Sequence, residues 1–174
     1  MAVHPHNLKY IPKPYEPIDH PGQRIQVDVK FVPWACLTNS RVIGKQFFLY
    51  TAIGEYSRWR YVETFEEHST YSSAMFVNHL AKAFPCRIEC IQTDNEPKFT
   101  NRFTTHRDKP TLFQMHLECH GIHHKLIWLF TSKYNGKIER SHRKDNERFY
   151  ATHRFYSFED FAKQLKRYNY RNYI

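Results

Sequence analysis

The strongest constraint on the fold is the order in which the chain changes its hydrophobic period. Ile25, Val27 and Val29 alternate with Gln26, Asp28 and Lys30, the two-residue period of a strand with one apolar face. Phe47 to Ile53 is an apolar run of strand length, Gly54-Glu55-Tyr56-Ser57 a turn, and Arg58 to Phe65 a third strand suited to a hairpin with the second. From Ser69 the period becomes helical. Ala74, Val77, Leu80, Ala81 and Phe84 form one stripe, Ser69 or Thr70 can cap it, and Pro85 stops it. A strand over Ile88–Thr93 follows, then a polar stretch to Pro110 and a helix from Thr111 to about His120, closed by Gly121. His123–Ile127 reads as a short fifth strand. Ser132 or Asn135 opens a long helix reaching about Tyr150, and Ser157 caps a last helix over Phe158–Tyr173. Three hairpin-linked strands, then strands reached through helices, predict an α/β fold with a five-stranded mixed sheet flanked by helices.

Fourteen Phe, twelve Tyr and three Trp in 174 residues are enough apolar area to exclude a disordered chain. The longest apolar run is too short to span a bilayer, and the first residues carry no apolar signal core. A cytoplasmic protein without a membrane partner is expected. Five of the nine prolines fall in the first 21 residues, so residues 1–21 read as an arm or interdomain linker and 22–174 as the core. Cys36, Cys86, Cys90 and Cys119 include no Cys-x-x-Cys pair. Even with His120, His123 and His124 beside Cys119, the two tight ligand pairs of a structural zinc site are missing. Reduced thiols and no zinc are expected.

The charge is uneven. Lys and Arg number 26 against 17 Asp and Glu, for +9, and residues from Lys125 onward carry 12 basic and 5 acidic side chains, a local +7. Tyr134, Tyr150, Phe155, Tyr168 and Tyr170 are interleaved with them. Cations that release counterions and flat rings that stack on bases suit a nucleic acid, although a solvated basic helix face has the same composition.

Three carboxylates could converge, and one of them stands where an acid calls for a reason. Asp28 lies mid-strand, where acids are depleted. Asp94 ends the strand after the first crossover, and a right-handed crossover can lay that strand beside the first. Glu139 falls in the first turn of the long helix. Converging carboxylates repel unless neutralised, and Mg²⁺ is the usual neutraliser where phosphate oxygens complete the shell. Spacing alone is weak support, because 17 acids offer many triples. Helical spacing also puts Glu139, His142, Arg143 and Asn146 on one face, so Arg143 can hold a DNA phosphate or pair with Glu139 along the helix.

The neighbours of these acids carry more. Gln26-Val27-Asp28-Val29-Lys30, then Gln92-Thr93-Asp94-Asn95 with Phe99, then Tyr134-Asn135-Gly136-Lys137-Ile138-Glu139-Arg140-Ser141-His142-Arg143 resemble the three motifs of one family. It is the catalytic core of insertion-sequence transposases related to retroviral integrases. Tyr56-Ser57-Arg58-Trp59 and Gly121-Ile122-His123-His124 are similar too, and the resemblance runs in order from about Pro21 onward. It implies a ribonuclease-H-like fold with Asp28, Asp94 and Glu139 as a catalytic triad holding two Mg²⁺ (or Mn²⁺) ions. It also implies DNA cleavage by water, then attack of the exposed 3′-hydroxyl on target DNA. Lys137, Arg140, His142, Arg143 and Asn146 become candidate DNA contacts. The partners implied are element ends and target duplex, with a homo-oligomer as the active complex in a bacterial cytoplasm, at the nucleoid when acting.

The sequence departs from the family after Asp94. Asn95 is followed by Glu96-Pro97-Lys98 where the family has glycine, so the loop must run differently, and a weaker catalyst is expected. No helix-turn-helix pattern precedes the proline-rich arm, which suggests a catalytic-core fragment or a truncated reading frame. Two readings stay beside the transposase: a nuclease of the same fold that only hydrolyses, and a basic DNA-binding or dimerisation module with an impaired site.

Overall fold

The computed structural model describes residues 16–39, 41–127 and 136–173. Three consecutive strands, β1 (Ile25–Phe31), β2 (Phe48–Gly54) and β3 (Arg60–Phe65), are followed by α1 (Thr70–Ala83), β4 (Cys90–Thr93), α2 (Leu112–Cys119), β5 (His123–Leu126), α3 (Gly136–Asp145) and α4 (Phe158–Tyr173). The strands form one sheet in the order β3-β2-β1-β4-β5. The first three pair antiparallel, while β1–β4 and β4–β5 are parallel. This is the mixed sheet that the order of periods predicts.

Local chemistry fixes the ends. Ser69 caps α1 by accepting from the Ser72 backbone N–H at 3.1 Å. Thr111 and Gln114 close a reciprocal capping box on α2, satisfying donors that helix starts leave orphaned. Ser157 accepts from the Asp160 backbone N–H at 3.1 Å. The expected caps Ser132 and Asn135 of α3 lie outside the described residues. Gly22 is required where the chain enters β1: its φ is +86°, and a Cβ there would stand 2.1 Å from the Arg87 carbonyl oxygen.

Both faces of the sheet are covered. On one, Ile25, Val27, Val29, Tyr50 and Ala52 pack with Phe76, Val77 and Leu80 of α1 and Phe113 and Leu117 of α2. On the other, Phe47 and Leu49 meet Phe149, Tyr150, Phe155, Phe161 and Leu165. Burying each such ring or branched side chain contributes roughly 1.5–3 kcal/mol before ordering costs. The polar residues of β1 therefore do not face open solvent, because α3 packs over that side. Between the layers sits an ion pair. Arg60 of β3 and Asp145 at the end of α3, 1% and 0% exposed, are 2.5 Å apart, and Arg60 also donates to Asn169 of α4 at 2.9 Å. The pair fixes where both helices sit on the sheet.

Residues 16–21, at the end of the expected arm, touch the core. Glu16 accepts from Arg24 at 2.5 Å and from Lys125 at 2.6 Å. Cys36 is buried and Cys86 and Cys119 exposed, and all four thiols are unpaired. Among the described residues no helix is long and apolar enough to cross a membrane.

Candidate active site

The parallel pairing of β1 with β4 sets Ile25 level with Ile91 and Gln26 level with Gln92. Carried two residues on, that register sets Asp28 level with Asp94 at the C-terminal end of β4. The electrostatics agree. Burial pushes the Asp28 carboxyl up to about 6, and the Asp94 charge pushes the same way. Asp94 is also raised, by burial first. Its Oδ1 accepts from the Glu96 backbone N–H at 3.0 Å, which turns the chain sharply after the strand. Two half-buried carboxylates whose charges oppose each other are a donor set that a hard divalent cation would relieve. In that respect the pair fits the metal that the sequence implies.

Helix α3 is hung over these residues from a polar anchor. Gln26 donates to Glu55 Oε1 at 2.7 Å, and its own Oε1 accepts from the Ile138 backbone N–H at 3.3 Å. Lys137 donates to the Glu55 carbonyl at 2.7 Å. Ile138, Ser141 and Asp145 form the buried stripe of α3. Helical geometry puts Glu139, His142 and Asn146 together on one flank of that stripe. His142 reaches the sheet: Nδ1 stands 3.4 Å from Asp28 Oδ2, and Nε2 3.4 Å from Thr51 Oγ1. Burial first, then Lys30 and Arg60, push His142 down to about 3, so the ring is neutral. Lys30, two residues past Asp28 on the same side of β1, donates to Asn146 Oδ1 and to the His142 carbonyl.

Each predicted residue thus has a definite place. Asp28 and Asp94 come together. Glu139 is exposed on the first turn of α3 and is not among the charges acting most strongly on either aspartate. Among the described residues no three His, Cys, Asp or Glu side chains are grouped to hold a metal ion. Arg140 and Arg143 are exposed, while Lys137, Asn146 and His142 are engaged within the protein.

The departure after Asp94 is resolved without glycine. Arg58 is the one non-glycine residue with positive φ among those described, so Glu96 does not occupy the left-handed region. Its side chain is held by Lys98. Burial works against the Glu96 charge, but the hydrogen bond and charge of Lys98 outweigh it and keep this carboxyl below the usual range. Lys98 is itself 1% exposed, lies over the Phe99 ring at 4.8 Å, and opposes the upward shift of both aspartates. Sequence reasoning missed this buried cation beside the carboxylates. An acid and a base two apart in a loop carry no periodic signal, and only the turn at Asp94 brings them inward.

Among solved structures with this architecture are retroviral integrase catalytic cores. The HTLV-2 integrase catalytic core domain in complex with magnesium superposes in its dimeric form with a TM-score of 0.51 at 16% identity, over 73% of this chain and 69% of that one. The trimeric form has a TM-score of 0.50 at 16%, over 73% and 68%. The BIV integrase catalytic core has a TM-score of 0.51 at 18%, over 75% and 70%. No protein-family model and no curated protein matches the chain. At this identity the likeness is one of fold: the ribonuclease-H-like sheet of an integrase catalytic core.

Proposed function

We propose that a chain with this fold, with one aspartate on β1 and the other just past the end of the parallel β4, is a DNA transposase or integrase core carrying out metal-dependent polynucleotidyl transfer. The observation that carries the reading is the Asp28–Asp94 pair, on the two positions that the sequence motifs single out, with both carboxyls raised by shared burial. Residues 22–174 form the catalytic unit and residues 1–21 the arm leading into it.

Asp28 and Asp94 would hold divalent cations, two Mg²⁺ or Mn²⁺ ions, with Glu139 as the third carboxylate. When bound, such ions supply Lewis-acid stabilisation of the charge that builds on the attacking and leaving oxygens of phosphoryl transfer. The remaining work falls to the chain's own side chains. Neutral His142, itself held by Thr51, orients Asp28 on the side facing α3. Exposed Arg140 and Arg143 engage DNA phosphates beside the triad. Lys137, Asn146 and His142 act on DNA indirectly, by fixing where α3 lies. Element ends and target duplex are the DNA partners, and a homo-oligomer is the active assembly.

The test is Mg²⁺-dependent nicking of a labelled duplex, with Asp28→Asn and Glu139→Gln alongside. Loss of nicking in both variants supports the triad, and joined products distinguish a transferase from a hydrolytic nuclease. Nicking that survives Asp28→Asn sinks the assignment. Lys98, already lodged beside the aspartates, favours one rival, a DNA-binding module with a silent site. In that case the wild type binds the duplex but never cuts it.

A further inference from the structure

A cleft of about 560 Å³ lies between the Thr100–Pro110 loop, the first turn of α2 and the end of β5, lined in part by Asn101, Arg102, Arg107, Lys109, Gln114 and Leu126. We propose that it is a DNA phosphate-backbone site, continuous with the carboxylate edge and separate from the basic C-terminal helices. The inference rests on the reading of the chain as a DNA-processing core and names a surface that such a core would use.

Position comes first. Leu126 pairs with Thr93 in the parallel β4–β5 ladder, and Asp94 is the next residue after Thr93. The cleft therefore opens at the same end of the parallel strands as Asp94. The loop that walls it leaves Asp94 directly, through Glu96, Lys98 and Phe99. Ligands of open α/β sheets gather outside the carboxyl ends of the strands.

Charge comes next. Arg102, Arg107 and Lys109 face one acid of the lining, Asp108, and none of the three cations is ion-paired among the described residues. The three are exposed, whereas Arg24, Arg60, Lys98 and Lys137, buried or half-buried near the sheet, each have a carboxylate partner. Cations left unmatched around one concavity attract a polyanion. The α2 N-terminus contributes little to this, since the Thr111–Gln114 capping box already occupies its donors. The attraction comes from the side chains.

The loop is also braced to present them. Asn101 donates to the Lys109 carbonyl at 2.9 Å, Thr104 N–H to the Asn101 carbonyl at 2.9 Å, and Lys109 N–H to the His106 carbonyl at 2.9 Å. Arg102 lies over the Phe103 ring at 5.4 Å, and Phe103 is 59% exposed. An uncovered aromatic beside unpaired cations is the pairing that nucleic-acid grooves use to hold backbone and base together.

The experiment is equilibrium binding of a fluorescent duplex to the full chain across a sodium chloride series. Wild type is compared with Arg102→Gln/Arg107→Gln/Lys109→Gln and with Arg107→Gln alone. Each lost phosphate contact lowers the slope of log K against log salt by about 0.9. The triple variant should therefore lose about 2 to 3 in slope and at least about tenfold in low-salt affinity, equally for unrelated duplex sequences. Arg107→Gln alone should lose about 1. An unchanged slope in the triple and the single variant, or a loss confined to one duplex sequence, overturns the cleft assignment. A wild type that binds with these slopes yet never nicks DNA overturns the catalytic reading and leaves the cleft standing.

Discussion

His142 Nδ1 stands 3.4 Å from Asp28 Oδ2, a contact between a helix residue and a strand residue 114 positions apart in the chain. The two groups are shifted in opposite directions by the same burial. Asp28 is raised to about 6 and His142 is lowered to about 3, so near neutrality a carboxylate faces an uncharged ring.

That shared burial sets opposite pH dependences. A raised carboxyl adds stability that is complete below the unfolded value near 3.8 and is lost as pH rises through about 6. A lowered histidine adds stability that is complete above 6.5 and is lost as pH falls toward 3. Asp28→Asn should therefore be more stable than wild type above pH 6, by about 1–3 kcal/mol, with the advantage vanishing near pH 4. His142→Gln should flatten the acid-side loss. Urea unfolding at several pH values measures both, and an Asp28→Asn advantage that grows on acidification would refute the assignment of the shift.

Divalent cations should stabilise the protein through the aspartate pair. At a hundredfold excess over the dissociation constant, a ligand confined to the native state adds about 2.7 kcal/mol. The unfolding midpoint should rise with Mg²⁺ or Mn²⁺ in wild type and stay fixed in Asp28→Asn and Asp94→Asn. Calorimetric scans with and without chelator show the difference, and equal rises in all three proteins would mean that the ions act elsewhere.

Glu96 and Lys98 make a testable unit. Glu96→Gln leaves the buried ammonium without its anion and should cost about 1–2 kcal/mol, less than a fully buried break because Glu96 is 44% exposed. The Asp28 and Asp94 carboxyls should titrate lower once the neighbouring charge is gone, as carbon-13 carboxyl shifts would record. Adding Lys98→Met should return most of the stability. If Glu96→Gln unfolds at the wild-type denaturant concentration, the pair is incidental to the loop.

Arg60 and Asp145 should be the costliest polar pair to break. Removing either partner strands a charge in the interior, at about 3–5 kcal/mol, whereas replacing both with apolar residues of similar volume is close to neutral. Asp145→Leu should unfold well before wild type, and Arg60→Met/Asp145→Leu should recover most of the loss. A double variant no better than the single one would show that the helices rely on the charges themselves.

Periodicity, caps and turn residues are local properties, so the strand and helix order, the mixed sheet and the stop at Pro85 were legible in the sequence. The two aspartates were singled out by the motifs around them and, for Asp28, by an acid standing mid-strand, since spacing alone offered many triples. The polar face of β1 was not. Alternation marks Gln26, Asp28 and Lys30 as polar, but only the packing of α3 covers them, and that burial is what shifts Asp28 and neutralises His142. Lys98, Glu55 and the cleft around Arg102, Arg107 and Lys109 were invisible for the same reason. Whether a charge is paired, buried or left facing a concavity depends on which distant segments the fold brings beside it, and no window along the chain contains that information.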